Sequence, residues 1–315
     1  MPYEIRMPEY LSPTSIKIAD ANMEEFAIKY LLKVRAPRPP QTKPMAVGSA
    51  FDAFVKSRIY KNIFGNYGPE DKYDLVKLFE TQVEVQNRDY ARIAGLHCLD
   101  EYIRRGALAD LMLELKQSIG PPRFEFSISD TIRWNGFDVP LLGKPDIFYI
   151  NEMAARSVTD WKVNGYCSTY NTSPMKGYVC CRSSDGTRSQ HRDAMVTSFK
   201  GIMINAMLHL EDCNKDWADQ LSIYGWLLGE PIGSADIVYG IDQITGPGCN
   251  RISSHRLRIK PEYQYHLMDR IAQIWSVIQS GHIFREMSRE ESDAKLQLLE
   301  DVIVAGPTEI DAILS

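Results

Sequence analysis

Apolar residues return at helical spacing from Ile16 to Leu31, at Ile16, Ala19, Met23, Phe26, Ala27, Tyr30 and Leu31, which predicts a helix with one buried face. Ser12-Pro13-Thr14-Ser15 supplies helix-starting residues before it, and the run from Pro37 to Pro40 closes the region. A second helix is expected over Lys43 to Arg58, starting near Gly48-Ser49 and carrying Phe51, Asp52, Phe54 and Val55. A connection rich in Gly, Pro and Asn, Lys61 to Tyr73, separates it from longer helical segments. These run from Tyr73 to Val83 and from Asn87 to Ile119, the latter interrupted near Gly106. Pro121-Pro122 ends the helical part, and the pattern then changes to strict alternation. Arg123 to Arg133 reads as a strand, Trp134-Asn135-Gly136 as a turn and Phe137 to Leu142 as the next strand. Ile147 to Ile150 and Ala155 to Lys162 follow as a pair joined by a turn at Asn151-Glu152. The pattern predicts an antiparallel meander of three or four strands.

Asn164 to Lys200 has no such period. It is rich in Ser, Thr, Gly and Tyr and carries Lys176, Arg182, Arg188, His191, Arg192 and Lys200. A structureless segment of this length is a functional loop or a solvated insertion. Asp216 to Leu228 returns to helical spacing through Ala218, Leu221, Tyr224 and Leu228. Strands are expected over Ala235 to Ile244 and Ser253 to Ile259, and helices over Pro261 to Ser280 and Arg289 to Val304. No internal repeat or clear linker interrupts the order. One α/β domain over 1–315 is therefore expected, with a central mixed sheet flanked by helices. Its parts are a mainly helical N-terminal region 1–120, an α/β core 121–260 with the basic insertion 164–200, and C-terminal helices 261–315.

Composition narrows the class. With 44% apolar and 24% charged residues the chain reads as an ordinary globular protein, and no apolar run reaches membrane-spanning length. Met1 to Ser15 lacks the apolar core of a signal peptide, so a cytosolic protein is expected, in a bacterium or a phage-infected host. Cys98, Cys167, Cys180, Cys181, Cys213 and Cys249 fall at irregular spacings without a C-x-x-C, which favours reduced, non-ligand cysteines. No phosphate-binding G-x-x-x-x-G-K-[ST] loop occurs. A net charge of −5 neither advertises nucleic acid nor excludes it, because the local patch decides.

The chemistry concentrates in Leu141 to Lys162. Asp146 ends Gly143-Lys144-Pro145-Asp146, and the returning strand delivers Asp160-Trp161-Lys162. Strand side chains alternate, so Asp160 and Lys162 share a face and Trp161 takes the other. A hairpin places Asp146 beside Asp160, and two close carboxylates repel unless a cation or proton lies between them. Oxygen ligands of this kind suit magnesium or manganese, and an adjacent lysine suits a phosphate or an attacking water. Taken singly, Asp-x-Lys also describes a solvated strand face, and Gly-x-Pro an ordinary turn. Gln220 and Tyr224, four apart, share a helix face; core packing is their other reading.

In their order along the chain these pieces resemble the RecB-like branch of the PD-(D/E)XK nuclease superfamily, including its phage-type exonucleases. Ser12-Pro13-Thr14-Ser15 with its helix resembles the family's N-terminal Ser-rich helix, and Gly48 to Asp52 lies where the family has Gly-x-x-x-His. Gly143 to Asp146 matches Gly-x-x-Asp, Asp160 to Lys162 matches Asp/Glu-x-Lys, and Gln220 to Tyr224 matches Gln-x-x-x-Tyr. The likeness spans roughly residues 12–230 and implies a restriction-endonuclease-like core. It also implies that Asp146, Asp160 and the Trp161 carbonyl hold Mg2+, for which Mn2+ substitutes. Lys162 would orient a water, with Gln220 and Tyr224 steadying it. Asp52 replaces the family histidine and is either a metal ligand or a plain helix carboxylate. Glu125 is either a further metal-site acid or an exposed strand residue. No cysteine precedes Cys98, so the iron–sulfur cluster of some relatives is not expected. Ser15, Lys176, Arg182, Arg188 and Arg192 are the expected nucleic-acid contacts.

The function these expectations define is a metal-dependent deoxyribonuclease, an exonuclease serving recombination, repair or phage DNA processing. Its partners would be DNA, a single-strand-binding or annealing protein, or further copies of itself. A nuclease-fold protein that binds nucleic acid or a protein without cutting is the alternative. An enzyme of small phosphorylated substrates is a third reading, without a nucleotide-binding loop in its favour.

Overall fold

The hairpin expected around Asn151-Glu152 lies inside a six-stranded mixed sheet. The computed structural model describes residues 6–32, 39–65, 74–164, 181–182, 188–189, 207–208, 215–234, 236–245 and 252–281. The helix expected over Arg289 to Val304 lies outside these residues. The strands are β1 (Arg123–Phe124), β2 (Ile128–Trp134), β3 (Phe137–Gly143), β4 (Ile147–Ile150) and β5 (Arg156–Asn164). After them come β6 (Cys181–Arg182), β7 (Arg188–Ser189), β8 (Met207–Leu208), β9 (Val238–Thr245) and β10 (Ile252–Ile259). The helices are α1 (Pro13–Ala21), α2 (Met23–Phe26), α3 (Lys43–Phe64), α4 (Leu75–Gln82), α5 (Arg88–Arg104), α6 (Ala107–Lys116), α7 (Lys215–Leu227) and α8 (Pro261–Ser280). The fold is α/β, with a mixed sheet flanked by helices and a helical N-terminal region. The chain forms two compact units.

The first unit comprises Gln41–Ile128 and Gly143–Tyr265. Its sheet runs β1-β4-β5-β9-β10-β8, with β5 and β9 parallel, β10 and β8 parallel, and the other neighbours antiparallel. A parallel neighbour requires a crossover, and α7 lies on the connection from β5 to β9. Strand alternation divides the core between the two faces. Phe124, Ile147, Tyr149, Trp161 and Ile244 pack with the apolar sides of α3, α5 and α6. Val158, Tyr239, Ile241 and Ile259 pack with Ala218, Leu221 and Tyr224 of α7. The two helices that frame the candidate site, α3 and α7, thus lie on opposite faces of β5.

The second unit comprises Met1–Pro40, Ser129–Leu142 and His266–Ser315. In it, β2 and β3 form a separate two-stranded sheet, and Leu11 bridges Leu141 in parallel, its N–H donating to the Pro140 carbonyl at 2.8 Å. Trp134 Nε1 and Asn135 Nδ2 both donate to Asp269 Oδ1, at 2.6 and 2.8 Å. The single helix expected from Ile16 to Leu31 is broken at Asn22, whose backbone is extended. Its Oδ1 accepts from the N–H groups of Glu24 and Glu25 and starts α2 afresh, which then continues as a π-helical turn, Ala27–Leu31.

Two further boundaries differ from expectation. α3 begins at Lys43, with Pro44 in its first turn, and runs on to Phe64. The strand expected over Arg123 to Arg133 is two strands in different sheets. The chain leaves the main sheet at Glu125, whose φ of 42° lies in the left-handed region and cannot continue a strand. Among the described residues no helix is long and apolar enough to cross a membrane.

Helix α3 can carry charge into the site because α5 holds it closely. A Cβ on Gly95 of α5 would lie 2.7 Å from Ala50 Cβ and 3.0 Å from the Phe51 backbone nitrogen. Gly95→Ala is therefore expected to lower stability by about 1–3 kcal/mol, read as a lower denaturation midpoint in urea. An unchanged midpoint would mean that the two helices separate at no cost.

Candidate active site

Sheet register builds the site. Phe124 pairs with Ile147, and Ile147 with Thr159. One position further along, the same antiparallel registers bring Glu125, Asp146 and Asp160 into a row across three strands. The Glu125 N–H donates to the Asp146 carbonyl at 3.0 Å, and the Trp161 N–H donates to Asp146 Oδ2 at 3.0 Å. The carboxyl groups of Asp146 and Asp160 are close enough for each to shift the other's affinity for a proton. The Asp146 side chain is 22% exposed and that of Asp160 5%, so solvent reaches the pair from the Asp146 side.

A lysine flanks the pair on either side. Lys162 forms an ion pair with Asp160 and donates to Gln220 Oε1 at 2.7 Å. Gln220 Nε2 in turn donates to the Tyr224 hydroxyl at 2.7 Å. Gln220 and Tyr224, four apart on α7, thus form a chain of hydrogen bonds that ends on the Lys162 ammonium. Gly143 makes room for it, since a Cβ there would lie 2.7 Å from Tyr224 Cδ1 and 2.9 Å from Leu227 Cδ1. On the other face Lys56 of α3 lies 2.7 Å from Asp52 and 3.3 Å from both Glu125 and Asp146. Its ammonium also stands 5.8 Å from the centroid of the Trp161 ring.

Burial and neighbouring charge drive the acids apart in strength. Burial, reinforced by the charge of Asp146, raises Asp160 to about 7. Burial and Asp146 likewise raise Asp52 to about 7. Burial also acts to raise Asp146, but Lys56, the bond from Asp160 and the Trp161 N–H outweigh it and hold Asp146 below the usual range. Glu125 is held low in the same way, by Lys56 and Lys144 against its burial. For Lys56 the attraction of Asp146, Asp52 and Glu125 exceeds the cost of burial and keeps the ammonium charged.

The donor chemistry suits Mg2+ or Mn2+ at one place. Asp146 and Asp160 need a proton or cation between them, the Trp161 carbonyl belongs to the same strand, and magnesium commonly takes one or two carboxylates and retains water. Among the described residues no group of three or more His, Cys, Asp or Glu is arranged to hold a metal ion. Asp52 and Glu125, each read from the sequence as either a metal ligand or a plain carboxylate, meet Lys56, and Glu125 also pairs with Lys144.

Ser15 is buried, and its hydroxyl exchanges hydrogen bonds with Ser12 in a capping box at the start of α1. Arg182 and Arg188 are register partners across β6 and β7. Lys176 and Arg192 lie outside the described residues. Sequence reading missed Lys56, Lys144 and Gln82, whose Nε2 donates to Asp52 at 3.2 Å. Lys56 did carry a signal, a lone cation four residues after Asp52 inside an apolar helix face.

The carboxylate pair makes a pH prediction. Asp160 titrates near 7 in the folded protein against 3.8 ordinarily, so the folded state binds the extra proton between those values. Its contribution to stability is intact below pH ~4 and is lost as the pH rises toward 7. Asp160→Asn mimics the protonated form. Without divalent metal it is expected to gain roughly 2–4 kcal/mol over the wild type at pH 8 and little at pH 4, by urea titration in chelator. An equal effect at both values would contradict the assigned repulsion.

No protein-family model matches the chain, and no curated protein matches it. Among solved structures the chain is similar to a candidate exonuclease from Eubacterium rectale, at 12% identity and a TM-score of 0.42, over 86% of this chain and 82% of that one. It is also similar to the protein SSO0001, at 13% identity and a TM-score of 0.28, over 71% of this chain and 74% of that one. Neither likeness bears on chemistry, which rests on the geometry of the site.

Proposed function

We propose that the protein is a metal-dependent nuclease hydrolysing phosphodiester bonds in DNA. The observation that carries this reading is the Asp146–Asp160 pair beside Lys162, whose ammonium Gln220 holds at 2.7 Å. A protein that only packs this hairpin has no use for two facing carboxylates whose repulsion burial sharpens. In this reading Asp146, Asp160 and the Trp161 carbonyl hold the ion. When bound, it supplies a water acidic enough to attack near neutral pH and charge to neutralise the phosphoryl oxygens.

The chain's own residues then have distinct tasks. Asp160 and Gln220 fix Lys162 Nζ, a cation whose side chain is 18% exposed and so within reach of solvent. Held in advance, it stabilises negative charge as that charge develops, with little reorganisation. Tyr224, bonded to Gln220, prevents the amide from rotating its acceptor away from Lys162. The Trp161 N–H fixes one oxygen of Asp146 and leaves the other directed toward Lys56. DNA as substrate, the exonucleolytic mode, the basic segment 164–200 as its contact, and a single-strand-binding or annealing partner extend this proposal.

The test is cleavage of linear DNA labelled separately at each end, with Mg2+, Mn2+ or chelator. The wild type is expected to degrade the DNA only with metal, and the label pattern reads its polarity. Lys162→Ala is expected to lose about 100-fold or more in rate while keeping DNA binding. Binding without cleavage in the wild type would instead favour a non-cutting nuclease-fold protein, a reading that the engagement of Asp52 and Glu125 by Lys56 supports.

A further inference from the structure

Lys56 is a buried charge that the proposed mechanism does not use. Its side chain is 1% exposed, yet its ammonium meets carboxylates from three separate elements: Asp52 of α3, Glu125 just beyond β1, and Asp146 just before β4. The distances are 2.7, 3.3 and 3.3 Å. Gln82 Nε2 adds a neutral donor, 3.2 Å from Asp52 and 3.5 Å from Glu125. The Trp161 ring lies 5.8 Å away on a further side. Three acids close around one cation, and their summed negative charge is a demand that a divalent ion could meet in its place.

We propose that the Lys56 ammonium is a resident cation in place of a second divalent ion, so that the active site takes a single metal at Asp146 and Asp160. This inference rests on the metal-dependent reading above. A divalent ion among Asp52, Glu125 and Asp146 would meet the ammonium at contact distance, where like charges repel strongly in a poorly solvated site. Lys56 has no route to yield its place. Its side chain is 1% exposed, so a displaced ammonium would leave three carboxylates without reaching solvent freely. Asp146 is the shared member, with one oxygen toward Lys56 and the other fixed by the Trp161 N–H. The helix therefore supplies a permanent half of the charge that a two-ion site would draw from solution.

The experiment counts Mn2+ bound to the full-length chain at equilibrium, by the loss of the free-ion electron paramagnetic resonance signal. Wild type, Lys56→Ala and Lys56→Arg are compared, with folding checked by circular dichroism. The wild type is expected to bind a single ion, Lys56→Ala to gain a second, and Lys56→Arg to remain with one. Two ions in the wild type, or a folded Lys56→Ala that gains none, overturns the inference and leaves the nuclease reading standing. No ion in the wild type overturns both. Should Lys56→Ala fail to fold, the counts for wild type and Lys56→Arg decide: a single ion in each supports the proposal and a second in either overturns it.

Discussion

Two carboxylates facing each other across β4 and β5 are the constraint around which the first unit is organised. Their separation is not adjustable, because antiparallel register fixes Asp146 opposite Asp160 once Ile147 pairs with Thr159. The repulsion must be met locally, and it is met from both faces of the sheet. α3 brings Lys56 from one face, and β5 itself brings Lys162, which α7 restrains through Gln220 and Tyr224, on the other. Removing one of the two lysines from such a buried arrangement commonly costs about 3–5 kcal/mol, far more than an exposed ion pair contributes. The site is therefore part of the fold's stability as well as its chemistry.

Trp161 is the hinge between the acids and the core. Its backbone N–H binds Asp146, while its ring packs edge-on against Phe51 of α3, with centroids 6.3 Å apart. Its indole N–H donates to the Tyr102 hydroxyl at 3.4 Å, and that hydroxyl donates to Asp242 of β9. Asp242 accepts in addition from Arg256 of β10 at 2.9 Å, and Arg256 donates to Glu114 at 3.1 Å. Asp242 is fully buried and sits opposite Trp161 in the parallel register. A polar network thus anchors the strand that delivers Asp160 and Lys162, and a satisfied network of this kind fixes one arrangement of a core.

Strand alternation made the centre of the site legible in the sequence. Asp160 and Lys162 had to share a face and Trp161 had to take the other, and the i, i+4 spacing had to put Gln220 and Tyr224 together. What could not be read depends on long-range packing. Nothing local marks Glu125 as the residue where the chain leaves the sheet, because a left-handed glutamate is held there by its partners Lys56 and Lys144. Asn22 had the chemistry of a cap but sat within an uninterrupted apolar period. Lys56 is a single charge on the buried side of a core helix, and only the approach of Glu125 and Asp146 turns it into the partner of three acids. The position of Asp52 beside that ammonium depends on the same packing and is equally invisible locally.

If Asp146 and Asp160 form a pair that demands a cation, the thermal unfolding midpoint of the wild type at pH 8 must respond to Mn2+. The wild-type midpoint is expected to climb steadily with the logarithm of metal concentration above the dissociation constant, while that of Asp146→Asn stays flat. A wild-type midpoint indifferent to Mn2+, or an equal climb in both proteins, would mean that the pair holds no ion.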